Sequence, residues 1–315
     1  MPATMNNNAL LTLDALAGCG VVLPAEIRAS LDVSLALKAS ELGVREFFLW
    51  GRVRTQSGTD YYVARAENGK RVDHDGVVVA NVGAKFYYSQ DGMEWLDLVP
   101  PEEDVTMEKA AELKCWLTGD PAHVFTVYEE QPIPEPPTPP PEPELAEGEE
   151  PPPPPEPEDP PEPLPPLEFA VTELQLLLSM ATRIDDECVI APVGMHITDA
   201  NGHIVYNPLF HMKYPEQLAS YAKTAVGGSK TTLKEARPLY STPLPMDARL
   251  TDTSFISNQE PNGTWGVTYD TFKRLAVVRS FAWPGYFAYY SDVSNTTGGI
   301  YFGDGRKNED VAFTV

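Results

Sequence analysis

The sequence from Glu46 to Thr55 is EFFLWGRVRT, and after the turn residues Gln56-Ser57-Gly58 it continues as YYVARA from Tyr61 to Ala66. Aromatic and β-branched residues favour strands, so these two runs predict a β-hairpin. Large aromatic residues stand at consecutive positions here, and again from Tyr286 to Tyr290, so they point to both faces of a sheet. We therefore expect both faces to be covered, either by helices of the same chain or by a partner protein.

Helices and further strands are predicted on either side of this hairpin. Pro24 can begin a helix, because its missing N–H is not needed there, and Gly43 favours a stop. Apolar residues recur every four positions between them, at Ile27, Leu31 and Leu35. The remaining elements predicted on this side are a hairpin of Lys85–Gln90 and Glu94–Val99 turning at Asp91-Gly92, a helix Glu108–Cys115 and a strand Val124–Tyr128.

The carboxyl-terminal side begins with a strong helix pattern. Thr172 and Gln175 have the spacing of a capping box. One apolar face follows, formed by Leu174, Leu177, Leu178, Ala181 and Ile184. A short helix is predicted from Pro215, carrying Leu218, Tyr221 and Ala222. The predicted strands are Gly263–Tyr269, Leu275–Ser280, Tyr286–Tyr290 and Gly299–Phe302, and their short connections favour an antiparallel sheet.

An acidic, proline-rich segment separates the two sides. The chain of 315 residues has 46 acidic and 23 basic side chains, a formal charge of -23, and 32 prolines. Residues 129–168 alone contain 19 prolines, 13 acidic residues and no lysine or arginine. Proline removes backbone donors and glutamate resists burial, so this segment is predicted to be a disordered insert. The other residues have an ordinary proline content and a milder acidic charge.

We expect an α+β fold with a largely antiparallel sheet and packed helices. Residues 1–128 and 169–315 would be the two halves of a single body, with the insert 129–168 projecting from it; two separate domains are the alternative.

Several classes of protein are excluded by composition. Nucleic-acid binding needs clustered basic residues, and three arginines between Arg45 and Arg54 are the densest run. The longest uncharged apolar run, Leu174 to Ala181, is far shorter than a bilayer span, and residues 1–16 lack the features of a secretory signal. We therefore expect no membrane partner and a cytoplasmic location. Asn262-Gly263-Thr264 and Asn295-Thr296-Thr297 then match the glycosylation pattern by chance.

No catalytic, cofactor-binding or metal site is predicted. Gly303-Asp304-Gly305-Arg306-Lys307 lacks the spacing of a phosphate loop, and Gly227-Gly228-Ser229-Lys230 is weaker still. The histidines do not have the spacing of a zinc site, and Asp73-His74-Asp75 is typical of a solvated turn; they are His74, His123, His196, His203 and His211. The three cysteines, Cys19, Cys115 and Cys188, are interpreted as reduced packing residues. The chain is therefore predicted not to be an enzyme.

Several blocks of residues resemble the radial spoke head protein 9 family. They are Phe48-Leu49-Trp50-Gly51-Arg52, Asp60-Tyr61-Tyr62-Val63-Ala64, the stretch from Arg279 to Gly285 and the stretch from Ile300 to Asn308, with weaker similarity at Ile184-Asp185 and Leu218-Ala219-Ser220-Tyr221. The acidic insert is longer than the family leads us to expect. The Trp283-Pro284-Gly285 and Gly303-to-Lys307 blocks also resemble the larger radial spoke head proteins 4 and 6, whose chains are much longer.

The resemblance implies a structural role. Members of this family belong to the head of the radial spoke in the axoneme of motile cilia and flagella, bind the larger head proteins of the 4 and 6 type, and help relay signals between the central pair and the dynein arms. No cofactor, metal or catalytic residue comes with the family. The alternative is a cytoplasmic proline-rich adaptor, but SH3 ligands need a flanking basic residue, which the insert lacks. The insert itself is either a charged cushion facing the central pair or a linker without a role.

Overall fold

The computed structural model describes residues 9–44, 46–67, 70–72, 78–80, 85–100, 104–129, 167–198, 204–207, 209–223 and 255–314. The helices in these ranges are α1 (Ala9–Leu16), α2 (Ala25–Leu42), α3 (Asp104–Glu112), α4 (Glu173–Cys188) and α5 (Val311–Thr314). No helix in the described ranges is both long enough and apolar enough to span a bilayer.

The strands are, on the amino-terminal side, β1 (Glu46–Val53), β2 (Tyr61–Glu67), β3 (Lys70–Val72), β4 (Val78–Ala80), β5 (Lys85–Ser89), β6 (Leu96–Asp97) and β7 (Val124–Glu129). Those on the carboxyl-terminal side are β8 (Leu167–Thr172), β9 (Ile190–Pro192), β10 (His196–Thr198), β11 (Ile204–Tyr206), β12 (Tyr221–Lys223), β13 (Trp265–Asp270), β14 (Leu275–Ser280), β15 (Tyr286–Ser291) and β16 (Thr296–Gly303).

Eight strands form one sheet in the order β13-β14-β15-β16-β1-β2-β5-β6. β1 pairs with β16 in parallel, and the other neighbouring pairs are antiparallel. The predicted α+β class with a largely antiparallel sheet is therefore confirmed. The sheet contains strands from both sides of the acidic segment. Residues 130–166, which make up nearly all of the predicted disordered insert, lie outside the described residues.

The parallel pair β1–β16 requires a very close approach of the two backbones at Gly51. Gly51 is opposite Tyr301, and a Cβ atom at Gly51 would lie 2.3 Å from the Tyr301 carbonyl oxygen. The register of β1 against β2 shifts between Leu49 and Gly51, which is a bulge at Trp50. The bulge allows the Trp50 ring to contact the ring of Tyr301, with 5.6 Å between centroids. Glycine is therefore needed where β1 meets β16.

Both faces of the sheet are covered by helices of the same chain, as one of the two sequence-based alternatives required. Leu13 and Leu16 of α1 and Leu31 and Leu35 of α2 cover one face. There they contact a cluster of buried sheet residues that includes Phe47, Leu49, Tyr62, Tyr87 and Tyr289. Helix α4 covers the opposite face, where the sheet contributes Trp50, Tyr61, Val63, Tyr88, Tyr286 and Tyr290. Aromatic residues at consecutive positions thus divide between two separate cores.

Helix α4 is also fixed to β1 and β2 by buried polar contacts. Asp185 forms an ion pair with Arg65 of β2, and both side chains are nearly inaccessible to water. The second carboxylate oxygen of Asp185 accepts a hydrogen bond from the Trp50 indole at 3.3 Å. Charges removed from water are costly unless they are paired and hydrogen-bonded, so these contacts determine where α4 lies on the sheet.

The first residue of α4, Glu173, is fully buried and accepts several hydrogen bonds. Its carboxylate accepts from the Tyr61 hydroxyl at 3.0 Å, from the Thr118 amide at 3.0 Å and from the Gly119 amide at 2.7 Å. The Thr118 hydroxyl also donates to it. Burial and the Glu173 carboxylate raise the pKa of Tyr61, so this phenol stays neutral and remains a donor. Glu173 therefore joins α4, β2 and the loop before β7.

The local predictions for α2, the first hairpin and α4 are confirmed. Gly43 adopts the left-handed conformation that ends α2, and the Thr172–Gln175 capping box is present at the start of α4. The second hairpin is also present, with Gly92 at φ 74° in its turn. The four predicted carboxyl-terminal strands are β13 to β16.

Two local predictions differ from the structure, and several short strands were not predicted. The helix predicted at Glu108–Cys115 is α3, which begins four residues earlier. The helix predicted from Pro215 is wrong, because Leu218–Ser220 forms a 3₁₀ turn and β12 then pairs with β9. The sequence spacing matched a helix, but both Tyr221 and Ala222 are buried in this small ladder. The strands that were not predicted are β3, β4 and β8 to β12.

Strands β7 and β8 pair with each other in antiparallel register, with Glu129 opposite Leu167. Their ladder includes Glu129 and Leu167-Glu168, which the sequence placed in the insert. Paired residues of an antiparallel ladder are only about 5 Å apart. Residues 130–166 therefore connect two residues, Glu129 and Leu167, that lie side by side in the ladder.

Gly51→Ala is expected to lower the free energy of unfolding by about 2–3 kcal/mol, because the added methyl group must displace the backbone of β16. Gly18→Ala is the matched control, since no atom lies within 4 Å of a Cβ built there. Urea denaturation of the purified variants measures both changes. Equal stability losses for the two variants would contradict the assigned close contact.

Candidate interaction surface

The Trp283-Pro284-Gly285 block and the glycine-rich block after β16 lie against each other. We call residues 282–285 and 303–308 together the Trp283 corner. The amide of Phe302 donates to the Gly285 carbonyl at 2.7 Å, and the Asn308 amide donates to the Ala282 carbonyl at 2.7 Å. The Gly305 amide donates to the Tyr301 hydroxyl at 2.8 Å. Two blocks about 20 residues apart in sequence therefore form one local structure.

Glycine is required at this corner for two reasons. Gly285 has φ 104°, a conformation that other residues rarely adopt, and its Cβ would lie 2.3 Å from the Phe302 carbonyl oxygen. A Cβ at Gly303 would lie 2.4 Å from the Pro284 carbonyl oxygen. The glycines of this loop therefore serve close backbone packing.

Trp283 is the centre of the corner and is only 1% exposed. Its indole N–H donates to Glu187 Oε2 at 2.9 Å, and the Lys307 ammonium lies 2.7 Å from the same oxygen. The Arg183 guanidinium stands over the Trp283 ring at 5.4 Å from the centroid and Lys307 at 5.9 Å. Aromatic rings attract cations placed over their faces. Two cations, Arg183 from α4 and Lys307 from the loop after β16, therefore lie over one buried ring.

The outer part of this region is exposed. Trp116, 39% exposed, lies in the segment after α3, and the Arg306 guanidinium stands 5.1 Å from its ring centroid. Nearby, Lys114 and Glu309 form an exposed ion pair at 2.8 Å. A cleft of about 480 Å³ lies between α3, α4 and the loop that follows β16. The sequence reasoning did not single out Trp116, because its contact with Arg306 depends on the tertiary fold.

This arrangement is suited to binding protein. Tryptophan and arginine are enriched at the centres of protein interfaces, where a large ring and a flat cation supply contact area and directed hydrogen bonds. The glycine-rich loop after β16 does not have the arrangement of a phosphate-binding loop. Residues 304–310 form no helix, and the Lys307 ammonium is paired with Glu187. The exposed Trp116–Arg306 pair is therefore the candidate contact.

Known proteins of similar sequence were found over nearly the whole chain. The protein named radial spoke head protein 9 homolog from Bos taurus is 26% identical over 312 residues, covering 97% of this chain and 98% of the relative. The homologs of the same name from Xenopus tropicalis and Homo sapiens are 25% and 24% identical, with the same coverage. No protein-family model matches the chain. These relatives support the assignment of the chain to the radial spoke head protein 9 family.

The main blocks that carry the resemblance to radial spoke head protein 9 lie in or beside the contact of β1 with β16. Phe48 to Arg52 and Ile300 to Phe302 contain the parallel contact of β1 with β16, and Asp60 to Ala64 form the adjacent hairpin strand. Asp60 accepts an ion-pair contact from Arg52 at 2.7 Å. The Trp283 corner completes the set.

The histidines do not come together in the described part of the chain. His74, His203 and the segment Gly227–Lys230 lie outside it. His123 stacks against Phe125, with 4.6 Å between ring centroids, and the His211 Nδ1 atom lies 3.3 Å from an oxygen of Asp292. His196 lies on β10. Within the described ranges, no group of three potential metal ligands is present.

The cysteines differ from one another in environment. Cys188 is buried, Cys115 is half-buried and Cys19 is exposed, and all three are free thiols. Burial raises the pKa of Cys188 and of Cys115, so both favour the unreactive thiol form. The interpretation as packing residues is wrong for Cys19, because it lies in an exposed 3₁₀ turn after α1.

Trp283→Ala and Trp116→Ala should separate the buried from the exposed part of this region. Trp283→Ala removes a buried ring and leaves Glu187 without its indole donor, so the free energy of unfolding should fall by about 3–5 kcal/mol. Trp116→Ala should cost less than about 1 kcal/mol. Urea denaturation of the two variants measures the difference, and a large loss for Trp116→Ala would show that this ring is structural.

Proposed function

We propose that this protein is a structural component of the radial spoke head in the axoneme of motile cilia or flagella. It binds the larger head subunits of the 4 and 6 type and helps transmit signals between the central pair and the dynein arms. The observation that carries the proposal is the similarity to radial spoke head protein 9 homologs over 97% of the chain.

The role we propose is binding and not catalysis, without a cofactor. Nearly all the large aromatic side chains of the sheet are used in its two cores, so the exposed Trp116 and Arg306 differ from the rest of the aromatic framework. Held over one ring, the Arg306 guanidinium still presents N–H donors to a carboxylate or carbonyl of a neighbour. This pair would anchor the subunit to a larger head protein.

The proposal is tested by attachment to axonemes. The chain, expressed in ciliated cells that lack their own copy, should remain with axonemes after membrane removal and salt washing. Trp116→Ala combined with Arg306→Ala should weaken this attachment about tenfold or more, because both side chains are interface anchors.

Phe272→Ser is the matched control, since Phe272 is 95% exposed in the turn between β13 and β14 and away from the Trp283 corner. Its attachment should equal that of the unmodified chain. Recovery of the unmodified chain only in the soluble fraction would contradict the proposal and would favour the proline-rich adaptor.

We further propose that residues 1–128 and 169–315 act as one unit and that the acidic insert projects from it as a charged cushion toward the central pair. Thirteen carboxylates over 40 residues would be spaced near the Debye length of about 8 Å at physiological salt, so they repel one another and similar surfaces. Because β7 and β8 hold the two ends together, an extended polyproline arm could reach about 55 Å at most.

Replacing residues 130–166 by Asn-Gly tests this role without disturbing the ladder. Glu129 and Leu167 would then be joined by a two-residue turn, which suits antiparallel strands. The shortened chain should fold with unchanged stability and attach normally, while the ciliary waveform changes. A normal waveform would support the linker without a role, and lost attachment would indicate docking through the insert.

A further inference from the structure

Helix α2 is apolar on the side that faces away from the sheet. Its inward side is already satisfied: Leu31 and Leu35 are buried in the core, and the Ser34 hydroxyl donates to the Gly92 carbonyl at 2.6 Å. The residues at spacings of three and four on the opposite side are exposed, and they are Ala29, Val33, Ala36, Leu37 and Ser40. We call these five residues the outer face of α2.

An outward helix face is ordinarily polar, because its side chains meet water. Here Val33 and Leu37 are each 60% exposed, one turn apart, and the residues beside them are small. Small side chains allow a second helix to approach to the 8–10 Å typical of packed helices, while Val33 and Leu37 supply the apolar contact. The shape of this face therefore suits another helix.

The charged residues around the outer face of α2 indicate which kind of helix would bind there. The exposed acids Asp32 and Glu41 border its two edges, and Glu26 borders its amino-terminal end. Arg28 pairs with Asp14 of α1 at 2.7 Å, and Lys38 pairs with Glu41 at 3.4 Å, so the acidic charge of the rim lies mainly at Glu26 and Asp32. The rim is thus acidic, and it complements a partner with basic flanks.

We propose that the outer face of α2 binds an amphipathic helix of another protein, with apolar residues seated on Val33 and Leu37 and lysine or arginine residues beside Asp32 and Glu26. A second copy of this chain is a poor occupant. Two copies in a symmetric contact would bring the same acidic rims together, in a chain whose net charge is -23. This surface lies on the sheet face opposite to α4.

Photo-crosslinking in the complex that holds the chain in its host cell tests the proposal. Leu37 is replaced by the photoreactive residue benzoylphenylalanine, and Phe272 is replaced in the same way as the control. Mass spectrometry should map the Leu37 adduct to a segment of another polypeptide with helical apolar spacing and basic flanks. The Phe272 adduct should not map to that segment. The readout does not depend on the proposed function, because it can be made in whichever fraction retains the chain.

Charge reversal then tests the rim. Glu26→Lys combined with Asp32→Lys should lower the yield of the Leu37 adduct about fivefold, because each exposed ion pair contributes modestly. Glu216→Lys, an exposed reversal in the segment between β11 and β12, should leave the yield unchanged.

Other occupants are distinguished by the same measurements. The proposal is overturned if Leu37 forms no adduct, if the adduct maps to this chain itself, as a second copy or at residues 1–8 or 224–250, or if the segment lacks basic flanks. For the purified chain, Val33→Ser with Leu37→Ser should shift Tm by less than about 2 °C. A larger fall would show that the chain covers this face itself, which would also overturn the proposal.

Discussion

The parallel contact between β1 and β16 is the constraint on which the rest of the fold depends. These two strands come from opposite sides of the acidic segment, and each begins an antiparallel series: β1 continues into β2 and β5, and β16 into β15 and β14. If the contact is lost, the sheet divides into two smaller sheets, each with a new edge. The close approach at Gly51 is therefore a requirement of the whole sheet and not of one strand.

Side chains of helix α4 also join the carboxyl-terminal side of the chain to the amino-terminal side. Its acids, Glu173 and Asp185, belong to the carboxyl-terminal side of the chain, while their partners Tyr61 and Arg65 belong to β2. Buried polar groups of this kind add little net stability compared with apolar packing, but a displaced helix would leave them without partners. They therefore favour one position of α4 over its alternatives. The fold can contain a long acidic segment because its two sides are joined by these contacts and by the β1–β16 pair, and because β7 and β8 close the segment at its base.

The elements that the sequence predicted are those specified by neighbouring residues. The first hairpin follows from its aromatic strands and short turn, the end of α2 from Gly43, and the start of α4 from its capping box. Features that depend on distant residues were not predictable in the same way. The pairing of β8 with β7 bridges 37 intervening residues, and β12 forms because Ile190–Pro192 offers it an edge. The contact of Arg306 with Trp116 was not predictable for the same reason, although Arg306 belongs to the block from Ile300 to Asn308 that carries the family resemblance.

The two candidate contact surfaces lie on different layers of the molecule. The Trp283 corner is packed against α4, on one face of the sheet, and the outer face of α2 lies beyond the other. Their chemistry also differs: the corner presents an arginine over an aromatic ring, while α2 presents apolar residues within an acidic rim. Under the two proposals, the two unlike neighbours would lie on opposite sides of the eight-stranded sheet. Both cores are filled by the chain's own helices, so the fold does not depend on binding at either surface. A loss of binding can therefore be measured separately from a loss of structure.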